Sequence, residues 1–334
     1  MIQQANLSVE SLWQKDLKQS FTKPEQLLSF LQLDINDFAD DIKARALFNM
    51  RVPRHFANLI EKKNPNDPLL LQVLPLAQEF IEAPGFTPDP LLEQENTVPG
   101  LLHKYKSRVL LMFRTGCAVN CRYCFRRHFP YAENSVNKQK LLEALAYIQS
   151  DNNINEVILS GGDPLMADDD ALDWFVQQCE QLPQLTRLRI HTRLPVVIPS
   201  RVTHRMCEIF KNSRLRCVMV LHINHPNELS NELNQSCQLL HEAGVLLLNQ
   251  SVLLKNVNDS VACQVTLAES LFNSRIQPYY LHLLDKVTGA SHFEVDEQTI
   301  KQVYQGMLSN LPGFLVPKLV REIGGETSKT PVLP

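Results

Sequence analysis

From residue 101 onward, short apolar runs alternate with longer amphipathic ones, and few folds satisfy that pattern. The runs 108–113, 156–160, 187–191, 217–223, 245–253, 278–283 and 315–321 have the length and composition of strands. Between them, 138–149, 169–181, 202–210, 228–243, 260–272 and 296–308 carry apolar residues at helical spacing. Strands that alternate with helices lie parallel, because each helix carries the chain back across the sheet before the next strand begins. About seven such strands in a row predict an α/β fold of the partial (β/α) TIM-like barrel kind. An open dinucleotide-binding sheet is the alternative, but no G-x-G-x-x-G follows the first strand run. In a barrel, the chemistry belongs at the C-terminal ends of the strands.

Residues 1–100 read differently. Helix-like spacing over 7–20, 24–33 and 68–82, with no clear strand, predicts an N-terminal helical region. Pro24 suits a first helical turn, and Pro84-Gly85, Pro88, Pro90 and Pro99-Gly100 punctuate a connector. The expected organisation is therefore a helical region over 1–100 and a barrel unit over 101–334. A net charge of −3, with mixed signs along the chain, argues against nucleic acid as the main partner. No apolar run approaches membrane-spanning length, and the start lacks a basic segment followed by an apolar one. No membrane partner and a cytoplasmic location are expected.

Of the eight cysteines, Cys179, Cys207, Cys217, Cys237 and Cys263 are scattered and read as free thiols. Cys117, Cys121 and Cys124 are different: they form C-x3-C-x2-C directly after the first predicted strand. Three thiolates are one too few for a closed structural zinc site or an ordinary [4Fe–4S] cluster. His128 could supply a fourth ligand, although C-x3-C-x2-C-x3-H is not a usual zinc spacing, and inert buried thiols are a further alternative. The spacing, with Tyr123 inside it, resembles the signature of radical S-adenosylmethionine (SAM) enzymes, in which SAM chelates the open iron of a [4Fe–4S] cluster. Ser160-Gly-Gly-Asp-Pro164 follows the second strand, and two glycines let backbone approach a ligand closely. A tight turn would use the same residues. Beside the cysteine loop, Gly161, Gly162 and Asp163 resemble the Gly-Gly-Glu motif that contacts the SAM amino group, with Asp in place of the usual Glu.

Near the C-terminal end lies Arg321-Glu-Ile-Gly-Gly-Glu-Thr-Ser-Lys-Thr-Pro-Val332. It fails the P-loop spacing, since Ser328 precedes Lys329. Lys329 is either a solvated tail lysine or a lysine that holds pyridoxal 5'-phosphate (PLP) covalently. Taken together, several segments resemble the lysine 2,3-aminomutase family, whose members use a [4Fe–4S] cluster, SAM and PLP. They are His103-Lys-Tyr-Lys-Ser-Arg-Val109, the cysteine loop with Arg126-Arg127, Leu159-Ser-Gly-Gly-Asp163, Pro195-Val-Val197, Asn224-His-Pro226, Asn249-Gln-Ser-Val-Leu253, Pro278-Tyr-Tyr280 and Lys329-Thr-Pro-Val332.

The resemblance implies roles. Lys329 falls at the PLP lysine, and Arg108, with Lys104 and Tyr105 nearby, falls where the family holds the PLP phosphate. Arg126 falls at the grip on the substrate carboxylate. Asp285 and Glu322 fall at the carboxylates that receive the substrate ε-ammonium, Glu322 in place of an Asp. His222 and Gln250 fall in the SAM and PLP pocket. A bidentate Arg for a carboxylate and buried carboxylates for an ammonium are what free lysine requires. The implied activity is isomerisation of L-α-lysine to β-lysine, with an electron donor to reduce the cluster.

Two departures from longer family members stand out. The C-terminal cysteine region that binds interface zinc in those members is not in this sequence, which leaves a homo-oligomer open. Glu326, Thr327 and Ser328 replace glycines before the lysine. The short form most resembles bacterial enzymes that make (R)-β-lysine for modification of elongation factor P. A sister aminomutase acting on another amino acid, and a metal-stabilised module without catalytic activity, are the rival expectations.

Overall fold

The computed structural model describes residues 11–93, 100–130, 137–326 and 328–333. Among the described residues, nine strands form one sheet in sequence order: β1 (Leu101–Tyr105), β2 (Arg108–Arg114), β3 (Glu156–Gly161), β4 (Arg187–Thr192), β5 (Arg216–Leu221), β6 (Leu246–Val252), β7 (Gln277–His282), β8 (Lys318–Arg321) and β9 (Thr330–Pro331). Strands β2 to β8 pair in parallel, while β1 and β9 pair antiparallel at the two ends. The sheet therefore ends in two edges, as a partial barrel does.

Four short helices come first: α1 (Leu12–Lys18), α2 (Pro24–Phe30), α3 (Arg54–Leu59) and α4 (Pro68–Leu71). The barrel then adds α5 (Lys138–Ser150), α6 (Asp169–Glu180), the one-turn α7 (Leu194–Val197), α8 (His204–Asn212), α9 (Asn231–Glu242), α10 (Val261–Asn273) and α11 (Glu297–Asn310). Each long barrel helix starts at a side-chain cap. Asn137, Asp168, Thr203, Ser230, Ser260 and Asp296 accept from the main-chain N–H three residues on. Each cap satisfies an otherwise orphaned donor and contributes about 1 kcal/mol.

Strand alternation divides the side chains between two environments. Val109, Leu111, Phe113, Val157, Leu159, Leu188 and Ile190 face outward into one buried cluster with Leu141, Ala144, Leu172 and Phe175 of the helices. The alternate positions, Arg108, Ser160, Arg189, His191, His222, Gln250, Tyr280 and His282, turn to the other face and line the lumen. Trp13, Leu27, Leu28, Phe56, Leu69 and Leu70 belong to the same cluster as the outward strand residues. The N-terminal helices are thus continuous with the barrel core.

Three expectations are corrected. The 68–82 run is helical only over Pro68–Leu71, with a 3-10 turn at Ala77–Phe80. Pro75 explains the break, since it lacks an N–H and its ring clashes with the preceding turn. β1 was not expected; it forms a hairpin on β2 and carries Lys104 and Tyr105. The last parallel strand is shorter than 315–321, because Gly313–Leu315 forms a 3-10 turn. Residues 7–10 of the first helical run and Thr327 lie outside the described residues. Among the described residues, no helix is long and apolar enough to cross a membrane.

Candidate active site

The cysteine loop leaves β2 and packs on the glycine pair that leaves β3. Gly162 N donates to Arg114 O and Asp163 N to Gly116 O, both at 2.8 Å. Neither glycine has room for a side chain: a Cβ at Gly162 would meet Gly116 O at 2.5 Å, and one at Gly161 would meet Arg114 O at 2.5 Å. Gly161 also has φ of 112°, open only to glycine. Asp163 is not free to reach a ligand. Its carboxylate accepts from Thr192 Oγ1 (2.7 Å), Arg193 N (2.8 Å), Leu194 N (2.9 Å) and Leu165 N (3.0 Å). Burial pushes its pKa up, against those hydrogen bonds. The side chain ties β3 to the end of β4, so a ligand contact at this turn falls to the main chain.

Cys117, Cys121 and Cys124 are free thiols, each partly buried. Burial, reinforced by the neighbouring sulfurs, pushes the Cys117 thiol well up and Cys124 up to about 11. Such thiols ligate only when a cation compensates the thiolate. His128 does not join them; it is exposed, with Nε2 3.1 Å from Thr288 O. Among the described residues, no three His, Cys, Asp or Glu side chains converge as a single-ion site. The donor set, three thiols at this spacing, fits a [4Fe–4S] cluster with one open iron.

Further round the lumen, Gln250 Nε2 and His222 Nε2 lie 2.8 Å apart in a hydrogen bond. Burial, with the nearby Arg193, Arg126 and Lys329 charges, lowers His222 to about 3, so the ring is neutral. Gln250 Oε1, His191 Nε2, His282 Nε2 and Asp285 Oδ1 are buried without a partner. Buried polar atoms rarely stay unpaired, so these four, at or just beyond the ends of β4, β6 and β7, are open to a polar ligand. At the far side, Lys329 Nζ donates to Glu322 at 2.5 Å and lies 5.7 Å from the Tyr280 ring centre. Lys104 Nζ is 3.6 Å from the same carboxylate. The Arg108 guanidinium stacks over Tyr105 at 3.8 Å. Lysines, an arginine and orphaned polar atoms on neighbouring strands are a donor set that fits PLP.

Asp285 follows β7. Burial first, then the Glu322 charge, push its carboxyl up to about 7, with Lys329 acting against them. Arg126 is nearly sheathed. Its Nε and Nη2 donate to Glu93 at 2.7 and 3.1 Å, and its Nη1 donates to Ser160 Oγ and Gly161 O. Both Arg126 and Glu322, expected to meet substrate, thus hold partners from the chain itself.

Several residues that organise the site escaped the sequence reading. Arg193 contacts Cys121 Sγ, Tyr123, Gln72 and Glu228. Asn224 joins the same network through Tyr123 and Gln72. Glu79 accepts from both Arg122 and Arg127. The available signal for Arg193 was its place just beyond a strand end. Gln72, Glu79 and Glu93 lie in the helical region and its connector and carry no local signature.

A partial barrel with a three-cysteine loop after its first parallel strand and a glycine pair after its second defines a radical SAM domain, and residues 111–261 match the Radical SAM superfamily model. The chain is 51% identical over 321 residues to the L-lysine 2,3-aminomutase of Escherichia coli K12, covering 96% of this chain and 94% of that one. It is 53% identical over 322 residues to the L-lysine 2,3-aminomutase of Haemophilus influenzae, covering 96% and 95%. Against the L-lysine 2,3-aminomutase of Clostridium subterminale it is 33% identical over 324 residues, covering 96% of this chain and 78% of that one. The chain belongs to the L-lysine 2,3-aminomutase family of radical SAM isomerases. Membership of the superfamily implies the [4Fe–4S] cluster and SAM.

Proposed function

We propose that this chain moves the α-amino group of L-lysine to the β-carbon, with PLP as its third cofactor. Asp285 carries the reading. It is a carboxylate with a buried, unpartnered oxygen and a pKa raised to about 7, within electrostatic reach of Glu322, Lys329 and Arg126. A group so placed is stabilised by an incoming ammonium. Arg126 offers the complementary cation for a carboxylate.

When bound, the cluster and SAM supply a carbon radical that takes hydrogen, and PLP supplies the conjugated system across which nitrogen moves. The chain's residues do the rest. Cys117, Cys121 and Cys124 would hold the cluster, and the Gly161 and Gly162 main chain, packed on the cysteine loop, would be open to SAM. Lys329 would anchor PLP, and Lys104, Arg108 and Tyr105 would receive its phosphate. Arg126 and Asp285 stretch the substrate between two charges. Glu322 accepts from Lys329 Nζ and becomes available to the substrate ammonium when that amine is engaged. The neutral His222–Gln250 pair presents polar groups without adding charge.

The product is (R)-β-lysine, and its destination is elongation factor P. This finer reading rests on the sequence resemblance to short-form enzymes, a length class supported by coverage of 94% and 95% of two relatives against 78% of the Clostridium enzyme. The test is anaerobic incubation of cluster-loaded protein with SAM, PLP, dithionite and L-lysine, followed by chiral chromatography. β-Lysine of R configuration is expected. Uncoupled SAM cleavage with no β-lysine would overturn the substrate assignment.

A further inference from the structure

Glu93 holds Arg126 in the manner of a ligand. Arg126 Nε donates to Glu93 Oε2 at 2.7 Å and Nη2 to Oε1 at 3.1 Å, a side-on fork. The two side chains are only 8% and 12% exposed. The other edge of the guanidinium is taken as well, since Nη1 donates to Ser160 Oγ at 3.0 Å and Gly161 O at 3.2 Å. A second carboxylate cannot share these donors with Glu93, because the two anions would compete for the same N–H groups and repel each other.

The backbone is built to deliver Glu93 to this position. Leu92 has φ of 54°, a left-handed conformation rare for a bulky residue, and Leu91 is buried beside it. Glu93 N donates to Asp89 Oδ1 at 3.1 Å. The segment is pinned upstream to the loop that carries Asp285: Thr87 N donates to Lys286 O at 2.9 Å, and Thr288 N to Thr87 O at 3.0 Å. On its other flank, a Cβ at Gly324 would come within 3.0 Å of Leu92 Cγ, so the segment packs against the turn that follows Glu322. The strap thus touches the loops bearing both carboxylates as well as Arg126.

We infer that Glu93 is an internal competitor for the substrate carboxylate: it occupies Arg126 in the empty site and is displaced when a ligand's carboxylate binds. The inference rests on Arg126 being the carboxylate subsite proposed above. It makes Glu93 a determinant of affinity for the carboxylate end of the ligand alone. Displacement also loosens the strap, because its inward anchor is lost.

The holoenzyme tests this with two probes, 6-aminohexanoate, which has a carboxylate and a terminal ammonium, and cadaverine, which has no carboxylate. Calorimetry on Glu93→Gln should show 6-aminohexanoate binding tightened about tenfold, with cadaverine unchanged, a tenfold gain being about 1.4 kcal/mol. The gain should vanish in the Glu93→Gln/Arg126→Gln double variant. In the unmutated protein, hydrogen exchange over 86–93 should speed up with 6-aminohexanoate and not with cadaverine, so a poorly folding variant does not decide the matter. Weaker or unchanged 6-aminohexanoate binding in Glu93→Gln would overturn the inference and make Glu93 a positioning residue for Arg126. So would unaltered exchange over 86–93. If lysine is not the substrate, the unmutated enzyme makes no β-lysine, while the Glu93 dependence of carboxylate binding is still read directly.

Discussion

Arg193 Nη1 lies 2.8 Å from Cys121 Sγ, while Nη2 of the same guanidinium donates to Glu228 at 2.8 Å and Gln72 at 2.7 Å. One buried fork therefore joins the cysteine loop, the loop after β5 and the N-terminal helical region. A lysine has one point charge and cannot span these partners. Arg193→Lys should unfold at lower urea concentration, by roughly 1–3 kcal/mol, since an ammonium keeps the charge beside Glu228 but leaves some of the buried acceptors unsatisfied. It should also take up less iron on reconstitution. An unchanged urea midpoint and full iron loading would show that the network is dispensable.

Glu79 is the counter-charge for two arginines of the cysteine loop. It accepts from Arg122 at 2.6 Å and Arg127 at 2.5 Å, and all three side chains are fully buried. Glu79→Gln leaves two buried guanidinium groups without an anion, at a cost on the order of 3–5 kcal/mol. Chemical denaturation measures it, and a loss under 1 kcal/mol would mean that the arginines find other compensation.

Gly162 sits against main chain that cannot yield. A Cβ there would lie 2.5 Å from Gly116 O and 2.7 Å from Thr115. Gly162→Ala should cost roughly 1–3 kcal/mol by overpacking and reduce iron incorporation. Gly313→Ala is the control, since nothing lies within 4 Å of its Cβ position. Similar iron content in the two variants would refute the packing argument.

Asp285 sets the pH dependence. Its folded pKa of about 7 lies above the ordinary 3.8, so the folded protein holds a proton that the unfolded chain releases. The stability this contributes is present below the ordinary pKa and is lost as pH rises through about 7. An ammonium ligand needs the ionised form. Lysine binding should therefore tighten from about pH 6 to about pH 8 and release a proton at the lower end, as calorimetry in buffers of different ionisation enthalpy will show. Asp285→Asn should abolish that proton release and cut lysine turnover at least about tenfold, leaving uncoupled SAM cleavage intact. Lysine affinity independent of pH would remove Asp285 from the ammonium site.

The barrel was legible because its signals are local. Apolar spacing marked Glu156–Gly161 and Arg187–Thr192 as strands and Asp169–Glu180 as a helix, each with at most a residue or two of boundary error. β1 escaped because Leu101–Tyr105 holds only two aliphatic residues, with polar side chains after them. The cysteine and glycine motifs were legible because spacing within a loop is itself the signal. For Asp163 the sequence position gave only the motif, and the approach of Thr192 and Arg193 shows that its carboxylate is engaged within the chain.

By itself, then, the sequence determined the order of strands and helices, the three-cysteine loop after the first parallel strand, and the lysine near the end of the chain. Each depends on neighbours a few residues apart. Only the tertiary structure decided which anion meets which arginine: Glu79 with Arg122 across 43 positions, Glu93 with Arg126 across 33, and Glu228 with Arg193 across 35. Charge pairing acts through space and leaves no periodicity along the chain. Which buried acid compensates which buried base is fixed only when packing excludes water from both.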